Sequence, residues 1–296
     1  MMFTDTKLEK IISKNGNYWF TLFPKSISKN GNGRTILLVF KYTFRFPLCC
    51  MMDSSQVKVR TGIPGFDSII SGGFREGRTI VLSGPPGSGK TTFGMQFLHS
   101  GAKDFDEPGV FVTLSESPLE IKNDFRMFGW DIQKLIDEGR MLIIDARPFK
   151  MEEGFIALDE SLYRGETLPF MHLTQLILSS IKRIEAKRLV VDSLTVLGMQ
   201  YTNKFYARQG LQGLIHALED QHCASILTSE SPDAGKTPVE WYVASGLIFL
   251  NHTRREDTME RTIQVIKMRG LRHSEQIYPM KLSESGLQVL HPRVVP

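Results

Sequence analysis

Gly84-Pro85-Pro86-Gly87-Ser88-Gly89-Lys90-Thr91-Thr92 fits the pattern G-x-x-x-x-G-K-[ST]. Its flanks fit as well. Thr79–Ser83 is a short apolar run rich in β-branched residues, which predicts a buried strand. After the loop, Phe93, Phe97 and Leu98 recur at helical spacing. Strand, glycine loop and helix in that order is the context this motif needs. The residue types suit phosphate. Glycines let backbone N–H groups close around phosphate oxygens, and the following helix aims its positive end at them. Lys90 is placed to reach the β- and γ-phosphates, and the Thr91 hydroxyl to ligate Mg²⁺. The plain alternative, a glycine-rich turn with a chance lysine, leaves the flanking pattern unexplained.

From the loop outward, the chain alternates. Toward the N-terminus, Thr61-Gly62-Ile63-Pro64-Gly65-Phe66-Asp67 and Ser71-Gly72-Gly73 read as turns, with a short helix carrying Phe66, Ile69 and Ile70 between them. Toward the C-terminus, Gly109–Leu114 reads as a strand, Pro118–Phe128 as helical, and Asp131–Glu138 as a short helix ended by Gly139. Met141–Asp145 is a strand, Arg147–Phe170 an irregular acidic loop, and His172–Ala186 an amphipathic helix. Arg188–Asp192 and Ala224–Thr228 are strands around a helix over Tyr206–Asp220, followed by a short helix over Pro238–Ala244. Leu247–Asn251, Thr262–Met268, Ile277–Leu282 and Leu287–Leu290 are strands, the last two joined at Ser285-Gly286. Alternation first and strands last predicts an α/β fold. Its mostly parallel sheet carries helices on both faces and antiparallel strands at the C-terminal edge.

The net charge of +4 conceals an asymmetry. Residues 1–50 hold eight Lys/Arg against Asp5 and Glu9, which leaves 28 basic and 30 acidic groups in residues 51–296. That body is not a basic protein, which argues against a large constitutive DNA surface. Cys49, Cys50 and Cys223 have no metal-ligand spacing with the seven histidines, and so sparse a set suggests a reducing, cytoplasmic setting. No run of 18 uncharged apolar residues occurs. Ile36–Met52 comes closest and is broken by Lys41 and Arg45, so no membrane span is expected. Residues 1–50 mix Lys-Asn-Gly pieces with an aromatic, basic run and show no helical period. We expect two parts. Residues 1–50 read as a poorly ordered extension or as sequence upstream of a natural start at Met51 or Met52, and residues 51–296 as the functional domain. A basic, aromatic arm for a partner or membrane surface is the alternative for 1–50.

Asp192 ends the Leu189-Val190-Val191 run about 100 residues after the loop, where an acid of a phosphate-loop fold sits beside Mg²⁺. The alternative is an acid that merely ends a strand. With Thr61–Asp67, Gly84–Thr92, Gly109–Thr113, Phe128-Gly129-Trp130-Asp131, Val191-Asp192-Ser193 and Lys267-Met268-Arg269-Gly270 followed by His273, the chain resembles the RecA superfamily. Within it, the chain resembles the KaiC-like single-domain ATPases common in archaea. The resemblance covers roughly residues 55–290; the loop alone is generic, the ordered set specific.

The resemblance implies a RecA-like core that binds Mg-ATP and hydrolyses it slowly, with ATP and Mg²⁺ as cofactors. It implies a homo-oligomer, often a hexameric ring with ATP at subunit interfaces, and a signalling or regulatory role through a protein partner. Lys267 and Arg269 match the basic pair that the family sends to the neighbour's γ-phosphate. Two cations at i and i+2 on a strand share a face, which suits a phosphate approached in trans; an exposed edge pair that keeps the sheet soluble is the alternative.

Three departures bear on function. Where the family has two adjacent glutamates after the second strand, this chain has Ser115-Glu116. A serine cannot deprotonate water as a carboxylate can. Glu116 takes over only if the strand has already turned. The clock protein KaiC has two tandem domains and this chain one. The Ser-Thr pair that KaiC phosphorylates falls near Trp241-Tyr242, so no such autophosphorylation is expected, with Ser245 and Thr237 the nearest hydroxyls to test. Two regions correspond to the pore loops of RecA relatives. They are Thr195–Arg208 and Ser229–Val239, with Lys204, Arg208, Lys236, Tyr201, Phe205 and Tyr206, opposed by Glu230, Asp233 and Glu240. Basic groups beside aromatics suit single-stranded nucleic acid, but ordinary loop composition is the favoured reading. Three functions stay open: a KaiC-like ATPase, a non-hydrolysing ATP-gated switch, and a RadA-paralogue-like recombination or repair accessory.

Overall fold

The computed structural model describes residues 57–147, 168–199, 204–231 and 239–291, together with strands within the first fifty residues. Contacts divide the chain into Met1–Val57 and Lys58–Pro296. The first unit holds four antiparallel strands: β1 (Thr6–Ile12), β2 (Tyr18–Lys29), β3 (Thr35–Val39) and β4 (Tyr42–Phe46). β2 pairs with β1 and β4 through its first half and with β3 through Lys25–Lys29.

The second unit opens with β5 (Lys58–Val59), α1 (Phe66–Ile69) and β6 (Phe74–Arg75), with β5 and β6 paired antiparallel. Its main sheet uses β7 (Thr79–Gly84), β8 (Gly109–Thr113), β9 (Met141–Asp145), β10 (Arg188–Asp192) and β11 (Ala224–Glu230). β12 (Gly246–Arg255), β13 (Thr258–Met268), β14 (Ile277–Ser283) and β15 (Gly286–Val289) complete it. The nine strands run in the order β15-β14-β13-β12-β7-β11-β10-β8-β9. From β12 to β9 every neighbour is parallel, and β12 to β15 form an antiparallel meander. This is the α/β architecture anticipated from the sequence.

Period-two alternation explains why both faces carry helices. Ile80, Leu82, Phe111, Val190, Ile226 and Ile248 join one core layer, and Val81, Val110, Leu189, Val191, Leu227 and Leu247 the other. The first layer packs under α2 (Lys90–Asp104), α3 (Pro118–Phe125) and α4 (Ile132–Asp137). The second packs under α5 (Leu168–Ile184), α6 (Leu194–Met199), α7 (Lys204–Glu219) and α8 (Val239–Val243). Thr61–Asp67 is a docking loop. Asp67 Oδ1 accepts from the Thr61 N–H at 3.0 Å and its hydroxyl at 2.7 Å, and the Pro64 carbonyl receives the Val289 N–H at 2.9 Å, tying the loop to β15.

Several boundaries differ from the sequence expectation. Within Thr195–Arg208, read as a loop, α6 runs to Met199 and α7 starts at Lys204, with residues 200–203 outside the described residues. α5 begins at Leu168, before the expected His172, while residues 148–167 and their acidic side chains lie outside the described residues. The β12–β13 hairpin runs four residues past each expected strand end, its backbone ladder continuing beyond the core to Arg255 opposite Thr258.

Candidate active site

The site lies at the C-terminal ends of the parallel strands, where β7 passes through the glycine loop into α2. Gly84 ends β7 against the neighbouring strand so closely that a Cβ there would stand 2.2 Å from the Leu250 carbonyl oxygen. Gly89, the residue before α2, has φ 100°, a left-handed turn that starts the helix without a side-chain cap. The first N–H groups of α2 therefore face the loop's cavity without side-chain partners. Lys90, 8% exposed, folds under the loop, and its Nζ donates to the Gly84 and Pro85 carbonyls at 3.0 Å each. Burial lowers its pKa, opposed by the charges of Glu230 and then Asp192. The Ser88 hydroxyl is buried within the loop with no partner. A bent loop with unsatisfied donors and a buried lysine fits a phosphate chain.

A cleft of about 390 Å³ opens beside the loop. Pro86, Gly87, Gly89, Lys90, Thr91 and Thr92 line it, and so do Ser115, Glu116, Asp192, Thr195 and Glu230. Gly84, Pro85 and Ser88 do not line it; the carbonyls of the first two receive Lys90 instead. Asp192 is 7% exposed, and the Thr228 hydroxyl of β11 donates to its Oδ1. The Asp192–Ser193 peptide is cis. Among the described residues no three His, Cys, Asp or Glu side chains gather to cage a metal. Thr91 with Asp192 instead suits Mg²⁺, which keeps waters and phosphate oxygens in its shell.

Glu116 reaches the cleft because the chain turns as soon as β8 ends. The Leu114 N–H donates to the Asp192 carbonyl at 2.7 Å. The Thr113 hydroxyl donates to the Glu116 carbonyl at 2.6 Å and accepts the Glu116 N–H at 3.1 Å. Ser117 then caps α3 with Glu120 in a capping box. Within this turn Ser115 and Glu116 both line the cleft. Burial raises the Glu116 pKa, and Asp192, Asp124 and Glu120 add to the rise.

Lys267 and Arg269 are not part of the cleft. Lys267 Nζ donates to the Trp241 carbonyl and Arg269 Nη2 to the Tyr242 carbonyl at 3.2 Å, so both point to α8. With His273 and Glu275 they line a second, open cleft of about 580 Å³. Burial, and then Arg269, lower the Lys267 pKa. Near Trp241-Tyr242, the Ser245 hydroxyl is buried and bonds Glu219 Oε1 at 3.2 Å; Thr237 lies outside the described residues. Of the nucleic-acid candidates, Phe205 and Tyr206 are exposed and meet edge to face at 5.8 Å, while Tyr201, Asp233 and Lys236 lie outside the described residues. Two further residues reach the loop and the cleft: Arg261 Nε donates to the Gly87 carbonyl at 3.2 Å, and Glu230, read from the sequence only as an acid opposing nucleic acid, lines the cleft.

A glycine loop turning a parallel strand into a helix, with an acid ending a strand one removed from it, defines a RecA-like phosphate-loop fold. The comparisons narrow the class. The family model described as "ATPase: KaiC" matches residues 59–294, and the chain belongs to the KaiC ATPase family. The circadian clock oscillator protein KaiC of Synechococcus elongatus is 35% identical over 236 residues, covering 78% of this chain and 44% of that protein. The KaiC of Prochlorococcus marinus is 33% identical, covering 78% of this chain and 45% of its own. This chain thus spans just under half the length of these curated relatives. The crystal structure of a KaiC-like protein from Pyrococcus horikoshii aligns with TM-score 0.69 and 34% identity, covering 80% of this chain and all of that one. No helix among the described residues is long and apolar enough to cross a membrane.

Proposed function

We propose that residues 51–296 bind Mg-ATP in this cleft and hydrolyse it slowly, as one subunit of a homo-oligomeric ring with a regulatory or signalling role in the cytoplasm. The convergence of Lys90, Thr91, Asp192 and Glu116 on one cleft carries the reading. The backbone N–H groups of the loop and of α2 bind the phosphates. Lys90 exchanges its two carbonyl partners for β- and γ-phosphate oxygens. Thr91 and Asp192 are the residues that would hold Mg²⁺, which would supply charge neutralisation for the phosphates. Glu116 is placed at the cleft wall to orient water and take its proton. Lys267 and Arg269 line a separate face of the chain, so they meet a γ-phosphate only in an adjacent copy. Ring closure and hydrolysis are thereby coupled, because each copy completes its neighbour's site.

Phosphate release by the full chain with Mg-ATP, beside Lys90→Ala, tests this. Turnover above the Lys90→Ala background is expected. ATP binding without turnover would favour the second reading, an ATP-gated oligomeric switch, for which the observation is Ser115 lining the cleft where the family places a glutamate.

A further inference from the structure

The nucleotide cleft contains a third carboxylate besides Asp192 and Glu116. Glu230 ends β11, the strand between the phosphate-loop strand β7 and β10. In register it stands beside Gly84, whose carbonyl receives Lys90. Thr228 bonds Asp192, and Glu230 lies two residues further along, which places it roughly 7 Å past Asp192 toward the open end of the cleft. On the other side of β10, Thr113 is level with Asp192 and Glu116 follows it by three residues. Glu116 and Glu230 therefore flank Asp192 from the two neighbouring strands. The Glu230 N–H donates to Thr195 Oγ1 at 2.8 Å, pinning the end of β11 to α6. Its carboxylate accepts no hydrogen bond among the described residues, and no other acid supports the charge on Lys90 more strongly.

A further negative charge beside a polyphosphate opposes binding. The carboxylate also holds no element of the fold together. What it offers is a free acceptor at the mouth of the phosphate site. We propose that Glu230 is a catalytic carboxylate of the hydrolysis, acting from β11 and sharing with Glu116 the work that Ser115 cannot do. This rests on the ATPase reading above. The water oxygen bonds to the γ-phosphorus as the bond from that phosphorus to the β,γ-bridging oxygen breaks. The electrons of that bond leave on ADP. The water proton passes to Glu230 and from it to solvent.

The test uses the full chain with Glu230→Gln, Glu230→Asp and Lys90→Ala, measuring ATP affinity by calorimetry and phosphate release in the same samples. Glu230→Gln is expected to bind Mg-ATP at least as tightly as the wild type and to lose turnover tenfold or more. Glu230→Asp is expected to regain part of it. Turnover of Glu230→Gln within twofold of the wild type would overturn the assignment and leave the ATPase reading standing. Loss of ATP binding in Glu230→Gln would overturn it in favour of a structural role. A wild type no faster than Lys90→Ala would overturn both.

Discussion

Glu107→Ala is expected to destabilise the main unit heavily, although Glu107 does not line the cleft beside the glycine loop. Its partner Arg188, at the start of β10, is 0% exposed. Arg188 Nε and Nη2 reach the same Glu107 oxygen at 2.6 and 2.5 Å, and Nη1 donates to the Phe97 carbonyl at 2.6 Å. The guanidinium carbon sits 4.5 Å from the Phe97 ring centroid and 5.2 Å from that of Phe105. Burial already lowers the Arg188 pKa, and Glu107 is the largest influence opposing it. Without the carboxylate, a cation remains in an aromatic pocket with one carbonyl partner. Breaking one side of a buried pair costs about 3–5 kcal/mol, against about 1 kcal/mol or less for an exposed pair. Glu107 is 27% exposed, so water can enter after its loss and the lower end, about 3 kcal/mol, is expected. For a unit of this size that is a fall in Tm of about 6–12 °C. Urea and thermal unfolding of the full chain would measure it. Arg188→Met combined with Glu107→Gln removes both charges and should recover most of the loss. A Glu107→Ala cost under about 1 kcal/mol, with no recovery in the double variant, would refute the reasoning.

Two further outcomes follow from the same geometry. His99, 8% exposed and stacked on Trp130 at 5.0 Å, has its pKa pushed down to about 4, by burial first and Lys103 next, with Asp104 opposing. The unfolded chain takes up this proton first, so His99 contributes stability fully above about pH 6.5 and loses it as pH falls toward 4, in all about 3 kcal/mol. His99→Phe should flatten unfolding free energy against pH in that window, and an unchanged slope would contradict the burial argument. If Lys267 and Arg269 act on a neighbouring copy as proposed, Arg269→Ala should leave ATP binding intact while cutting turnover by about 10³-fold or more. Mixing Arg269→Ala with Lys90→Ala subunits should restore turnover, since one copy retains the loop and the other the cation; no restoration would place Arg269 outside the neighbour's site.

Much of the core was legible because strands buried on both faces leave a plain mark. Ile80–Leu82 and Leu189–Val191 are continuous apolar runs, and the bounds of the strands that contain them match the expected ones to within a residue. The same rule fails where apolar content is short or absent. β5 and β6 are two residues each, too short to show a period. The outer half of the β12–β13 hairpin, from His252 to Arg261, is polar and charged, so composition reads it as a loop although its strands pair through Arg255 and Thr258. Such pairing is held by cross-strand contacts outside the core, and hydrophobic periodicity does not register them.

The site divides along the same physical line. Lys90, Thr91 and the glycines belong to one contiguous segment, so their geometry is fixed by local backbone rules and spacing alone reveals it. Glu116 required knowing where β8 stops. Alternation along an uninterrupted strand would have sent Ser115 and Glu116 to opposite faces, but Thr113 clasps the Glu116 backbone and folds both into the cleft. Glu230 required the strand order itself. Only because β11 inserts between β7 and β10 does the residue ending it face Lys90 as well as flank Asp192. A serine at the expected base position therefore does not by itself leave the site without a base. Two carboxylates, reached through a turn and through sheet order, stand on either side of Asp192, and turnover by Glu116→Gln and Glu230→Gln decides how the work is divided between them.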